Sequence, residues 1–245
     1  MKVIILAAGR GSRLGERTKD RPKCMCVLKG RTLLDRCLET LEQAGISKKE
    51  TGIVTGYRSD MFTIPDVTYF HNDNWGQTNM FCSLTMADSW LKTEPCLVCY
   101  SDIVFSPKAI RTLADSCAPL AITSYSGYWE LWEKRMDDPL EDLEAFQVDE
   151  AGRLLEIGKK PAGRADIQGQ FMGLLRFTPE SWNWVEQTIR QPLPRPVNKL
   201  DMTTLLQELL QRGYPIRAIS TDELWLECDS EHDIEIYEQY FGELL

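Results

Sequence analysis

Leu6-Ala7-Ala8-Gly9-Arg10-Gly11-Ser12-Arg13-Leu14, followed by Arg21-Pro22-Lys23, is the stretch from which the fold is read. Lys2-Val3-Ile4-Ile5-Leu6 ahead of it is a short apolar, β-branched run. It predicts a buried strand, because a parallel strand covered on both faces needs no apolar/polar alternation. Gly9 and Gly11 then remove side chains, so the backbone can adopt positive φ and approach a ligand closely. Exposed backbone N–H groups in such a turn can cradle phosphate oxygens. Arg10, Arg13, Arg17, Lys19, Arg21 and Lys23 add a local concentration of cations.

Two common phosphate loops are excluded. No Gly stands at G-x-x-x-x-G-K-[ST] spacing before a lysine and a hydroxyl. The dinucleotide fingerprint G-x-G-x-x-G fails because its third glycine position is Leu14, with Gly15 one residue late.

The totals narrow the class of partner. The chain has 245 residues, room for one large α/β domain or two small ones. Lys and Arg number 28 against 37 Asp and Glu, a net charge of −9, which argues against a nucleic-acid partner. A small anion held by the local basic cluster remains compatible with that charge. No apolar run approaches the roughly 18 residues of a membrane span. Met1-Lys2 leads straight into the first strand, so no signal peptide is expected and a cytoplasmic location is. Eight cysteines include Cys24-x-Cys26 and Cys96-x-x-Cys99, with no second pair at zinc-finger spacing. Buried reduced thiols are the simpler reading, and a redox or metal role is the other. A strand over 95–100 would turn Cys96 and Cys99 to opposite faces.

Further elements follow in order. Residues 32–45 read as an amphipathic helix stopped by Gly45, then 52–56 and 67–70 as strands. This alternation predicts right-handed crossovers and a mainly parallel sheet. His71 to Asn79 is polar and turn-rich ahead of a helix over 80–91: either a base- or ribose-reading loop or a plain cap. The strand 95–100 ends in Ser101-Asp102, at the strand edge where open α/β sheets bind ligands, so Asp102 is a candidate Mg²⁺ ligand. Ser106-Pro107 starts another helix, and 120–125 is a strand. From 126 to 169 the pattern loosens into an insertion, read as the acceptor side of a site, with a hairpin signal at Glu150-Ala151-Gly152. Tyr128, Trp129 and Trp132 there are a cage for a quaternary ammonium, a lid or core. Lys159 is either a cation facing an acceptor's phosphate or a solvated hairpin end. Strands follow at 171–177, 216–219 and 224–227, and helices start at Pro179, Met202 and Glu231. Trp182 and Trp184 are interface or core, so a homodimer stays open.

Gly-x-Gly-x-Arg with Pro22-Lys23 downstream resembles the sugar-nucleotide pyrophosphorylase superfamily. Trp225-Leu226-Glu227-Cys228-Asp229-Ser230-Glu231-His232-Asp233 resembles the W-x-E-x-D-[ST]-x-x-D segment of small bacterial cytidylyltransferases, the phosphocholine and phosphonate enzymes among them. Asp138 to Glu144 and Gly169 to Gly173 look closer to the phosphonate or capsule-type branch. The resemblance implies one nucleotidyltransferase domain over 1–245. Its fold would be a Rossmann-like three-layer α/β/α sandwich with a mostly parallel mixed sheet and a small β-rich insertion.

It also implies CTP and a small phosphate or phosphonate acceptor as substrates, Mg²⁺ as cofactor, and in-line attack on the α-phosphorus with loss of pyrophosphate. Gly9, Arg10, Gly11 and Arg13 would hold the β- and γ-phosphates, and Lys23 the α-phosphate. Leu6, Ala7, Ala8, Gln77, Asn79 and Ser83 would complete the nucleotide site. Asp102 and Asp229 would hold Mg²⁺. Lys159, Trp129, Trp132, Arg135 and Glu227 would face the acceptor. The rivals are a sugar-1-phosphate uridylyl- or guanylyltransferase and an inactive nucleotide-binding regulatory domain. Retention of Lys23, Asp102 and Asp229 speaks against the second rival.

Overall fold

The computed structural model describes residues 1–245. Strand β1 (Lys2–Ala7) leads through the glycine loop and two 3₁₀ turns to a tiny ribbon, β2 (Val27–Leu28) and β3 (Arg31–Thr32), and then α1 (Leu33–Gln43). Next come β4 (Thr51–Thr55), β5 (Thr68–His71), α2 (Met80–Thr85), α3 (Asp88–Leu91), β6 (Cys96–Tyr100), β7 (Ile103–Phe105) and α4 (Pro107–Ala114). Strand β8 (Leu120–Tyr125) precedes α5 (Tyr128–Arg135) and the hairpin β9 (Phe146–Val148) and β10 (Leu154–Ile157). The chain closes with β11 (Gln170–Phe177), α6 (Pro179–Ile189), α7 (Met202–Gln211), β12 (Arg217–Thr221), β13 (Trp225–Glu227) and α8 (Glu231–Tyr240).

Seven strands form the central sheet in the order β12-β8-β11-β6-β1-β4-β5. All neighbours are parallel except β11, which runs antiparallel to both β6 and β8. Apolar residues of β1 divide between two cores: Val3, Ile5 and Ala7 pack on one face, Ile4 and Leu6 on the other. The same period sends Cys96 to one core and Cys99 to the other, and all eight cysteines are free. Helices α1, α4, α5 and α8 cover the first face, and α2, α3, α6 and α7 the second, giving a three-layer α/β/α sandwich.

Helix starts follow the caps in the sequence. Thr32, Ser106, Thr178, Asp201 and Ser230 each accept a backbone N–H with the side chain. Such a cap contributes about 1 kcal/mol.

Three expectations change. The helix expected over 80–91 is two short helices. Backbone bonds tighten from Met86 to Ser83 and from Ala87 to Leu84, and the turn brings Asp88 to the Trp182 indole at 2.7 Å. Residues 128–135, read as irregular, form α5. Tyr128, Leu131, Trp132 and Arg135 recur on its buried face, with the arginine in an apolar position because it has a buried acid partner. The insertion is thus a helix plus a two-stranded hairpin. Trp182 is core, and Trp184 stacks on Tyr214 at 5.0 Å. No helix is long and apolar enough to cross a membrane.

Candidate active site

Because β1, β4, β5 and β6 are parallel, their C-terminal ends share one edge of the sheet. Antiparallel β11 starts at that edge, so Gln170 to Gly173 arrive beside Tyr100. The glycine loop, the 72–79 loop, Ser101-Asp102 and the start of β11 therefore converge there.

Lys23 is the hub. Its Nζ donates to Asp102 Oδ2 and Asp229 Oδ1, both at 2.5 Å. Arg13 adds an ion pair to the same Asp229 Oδ1 at 3.0 Å. Burial pulls the Lys23 ammonium down, but the two carboxylates outweigh it and hold its pKa well above the usual lysine value. Asp229 is held below the usual carboxylate range, because Lys23 and then Arg13 overcome the opposing effect of its burial. Gly11 makes this geometry possible. Its φ is +73°, and a Cβ there would lie 2.6–2.8 Å from the aliphatic stem of Lys23.

The acids are positioned by backbone. Cys228 N–H donates to the Asp102 carbonyl at 2.9 Å, where β13 pairs antiparallel with β7. Asp233, in the first turn of α8, reaches back to accept from the backbone N–H groups of Asp229 (3.0 Å) and Ser230 (2.8 Å). Arg135 Nε donates to the other oxygen of Asp233 at 2.8 Å. Tyr237 Oη donates to the Glu227 carbonyl at 2.9 Å.

Two cavities share Tyr100; Lys23 and Asp102 line the first and Asp229 the second. One, of about 160 Å³, is lined by Leu6, Ala8, Gly9, Lys23, Trp75, Thr78, Asn79, Met80, Ser83, Tyr100, Ser101 and Asp102. Its loop is rigidly built. Buried Asn72 donates to Thr78 and Ser83, both at 3.0 Å, and Lys199 ties the Gln77 carbonyl at 2.8 Å. The second, of about 230 Å³, is lined by Arg13, Tyr100, Trp132, Asp142, Glu144, Gln170, Phe171, Gly173, Thr203, Glu227 and Asp229. Gly173, at φ +73°, leaves space for the Tyr100 ring that separates them; a Cβ there would lie 2.6 Å from it.

Several expected residues sit elsewhere. Ala7 is buried and Gln77 offers only its carbonyl to Lys199; neither lines the first cavity. Arg10 lies over the Tyr57 ring at 5.7 Å. Arg13 lines the second cavity rather than the first. Arg135, expected at the acceptor, is buried against Asp233 because a buried guanidinium needs an acid partner. Trp129 is outside both cavities, with its Nε1 on Glu133 and Arg164 4.3 Å from its ring. Lys159 is exposed and pairs with Glu156 three residues back. Trp132 and Glu227 do line the second cavity.

Sequence reasoning covered Trp75 and Thr78 only as part of the 71–79 loop and gave no role of their own to Met80, Tyr100, Ser101, Asp142, Glu144, Gln170, Phe171, Gly173 or Thr203. One signal was available: a glycine inside an apolar strand marks a bulge or a close approach, and Gly173 is one. The β11–β8 register indeed shifts between Phe171 and Leu175.

The carboxylates suit a hard divalent cation. Asp102 Oδ1 is buried with no hydrogen-bond partner, an orphan acceptor beside Asp229. No group of three or more His, Cys, Asp or Glu side chains forms a complete cage. Mg²⁺ takes one or two carboxylates and completes its shell with phosphate oxygens and water.

Comparisons with known proteins identify the family. The profile of the MobA-like NTP transferase domain matches residues 3–161. CTP:phosphoglutamine cytidylyltransferase of Campylobacter jejuni is 32% identical over 96% of this chain and 98% of its own. 2-Aminoethylphosphonate cytidylyltransferase of Lancefieldella rimae is 26% identical over 64% of this chain and 60% of its own. The solved inositol-1-phosphate CTP transferase from T. maritima superposes with a TM-score of 0.73 at 20% identity, covering 97% of this chain and 95% of that one.

Proposed function

This chain belongs to the MobA-like NTP transferase family and is a nucleotidyltransferase, and from that premise we propose that it transfers CMP from CTP to a small phosphate or phosphonate acceptor. The observation that carries the reading is the bridge that Lys23 makes between the two cavities. Lys23 joins Asp102, which lines a pocket suited to a nucleotide, to Asp229, which lines one suited to a small second substrate. The names of the similar proteins supply CTP and the phosphorylated acceptor.

In this reading the base and ribose lie along Ala8, Asn79 and Ser83, with the triphosphate turning past Gly9 and Gly11. An oxygen of the acceptor's phosphate or phosphonate attacks the α-phosphorus in line. The bond from the α-phosphorus to the bridging oxygen breaks, and pyrophosphate leaves with both electrons. No proton transfer is required. Catalysis is positioning plus charge neutralisation. Lys23 supplies a buried positive charge where charge develops, and Arg13 an exposed one, its side chain 68% exposed. Asp102 and Asp229 would hold Mg²⁺, which when bound neutralises phosphate charge.

The test is pyrophosphate release by purified protein with Mg²⁺, crossing CTP, UTP, GTP and ATP with 2-aminoethylphosphonate, phosphoethanolamine, phosphocholine and glucose 1-phosphate. The expected result is at least tenfold preference for CTP with a non-sugar acceptor. Preference for UTP or GTP with glucose 1-phosphate would overturn the reading.

A further inference from the structure

Away from the transfer centre, the second cavity is walled by hydrogen-bond acceptors. Glu144 comes from the insertion, Glu227 from β13 and Gln170 from the start of β11. Gln170 is only 7% exposed, and its Oε1 has no hydrogen-bond partner. Arg13 is the one cation lining the cavity, and it is paired with Asp229. The cations nearest Glu227 are committed elsewhere, Lys23 to Asp102 and Asp229 and Arg135 to Asp233, so Glu144 and Glu227 face the space without an ion pair of their own. Two half-buried carboxylates beside a buried amide oxygen call for a ligand that brings donors and positive charge.

The aromatic residues do not offer the alternative, a cage for a methylated cation. Trp132 is stacked on Trp225 at 5.9 Å, has the Arg135 guanidinium 4.4 Å from its ring, and donates its N–H to Asp142. Tyr100 and Phe171 meet edge to face. A trimethylammonium has no N–H for Gln170 and gains most from open aromatic faces. A primary ammonium has three donors, one each for Glu144, Glu227 and Gln170.

We propose that the acceptor carries a primary ammonium group at the end remote from its phosphate or phosphonate, recognised by Glu144, Glu227 and Gln170. This assignment rests on reading the second cavity as the acceptor site. A cavity of about 230 Å³ fits an acceptor of this size.

The experiment is calorimetric binding to the enzyme holding Mg²⁺ and a non-transferable CTP analogue, followed by kcat/KM with CTP. The probes are phosphoethanolamine, phosphocholine and propyl phosphate, which share a skeleton and differ only at its end. The wild type is expected to favour phosphoethanolamine over each of the others by tenfold or more. Glu144→Gln and Gln170→Leu are expected to shrink that ratio to about threefold or less, with unchanged thermal midpoints. Equal or weaker binding of phosphoethanolamine, or a ratio untouched in both variants, would overturn the assignment. Use of propyl phosphate as well as phosphoethanolamine with CTP would remove the ammonium site alone. Activity confined to glucose 1-phosphate would remove the underlying reading.

Discussion

Gly11 and Lys23 are built against each other: a Cβ on Gly11 would lie 2.6 Å from Lys23 Cγ, and Gly11 itself holds φ at +73°. Gly11→Ala therefore meets a left-handed backbone, at about 1–2 kcal/mol, and a clash with the stem that carries the ammonium to Asp102 and Asp229. We expect kcat for pyrophosphate release to fall tenfold or more while circular dichroism stays at wild type. A fall of less than twofold would show that Lys23 is positioned independently of Gly11.

Arg135 acts on stability rather than on the acceptor. Its partner Asp233 also holds the backbone N–H of Asp229, so the pair fixes the loop that carries a candidate metal ligand. Arg135→Met leaves Asp233 buried and unpaired, a loss of about 3–5 kcal/mol. A thermal scan should show a Tm lower by on the order of 10 °C. A selective rise in acceptor KM at unchanged Tm would instead restore Arg135 to the acceptor site.

Glu144 gives acceptor binding a pH dependence. Burial, then Asp201 and Asp142, push its carboxyl up to about 7. It is neutral below that pH and anionic above it, so an ammonium acceptor binds better as pH rises. KM for phosphoethanolamine should fall by about tenfold between pH 6 and 8 beyond the change in Glu144→Gln, following the ionised fraction. The variant shares the acceptor's own ionisation, so the ratio isolates Glu144. Parallel pH profiles in both proteins would rule it out.

Asp102→Asn tests the metal assignment by binding. The orphan Oδ1 and the charge of Asp102 should set cation affinity. Electron paramagnetic resonance of Mn²⁺ with CTP is expected to show at least tenfold weaker binding in the variant. Wild-type affinity would place the cation elsewhere.

What the sequence made legible was local. Caps at Thr32, Ser106, Thr178, Asp201 and Ser230 lie within four residues of the N–H groups they serve, so helix starts could be read directly. The glycine loop, Lys23 and the two aspartates carried a resemblance. The cavity walls were harder, because their meaning depends on pairings distant in the chain. Arg135 read as an acceptor-facing cation, because nothing near it in the chain announces its buried partner Asp233. Trp129 and Trp132 are three residues apart on one helix, yet only Trp132 faces a cavity. The β7–β13 ribbon is three residues long on each side, too short for a periodic signal, though it brings Asp102 to Asp229.

The most direct test of the central claim is the rate of pyrophosphate release from CTP by Lys23→Ala and Lys23→Met, at saturating Mg²⁺ and acceptor, beside wild type. If Lys23 stands at the transfer centre, kcat falls by about 10²–10³, the cost of removing one preorganised donor to developing charge, while the far-ultraviolet spectrum is unchanged. A kcat within threefold of wild type in either folded variant would contradict the account.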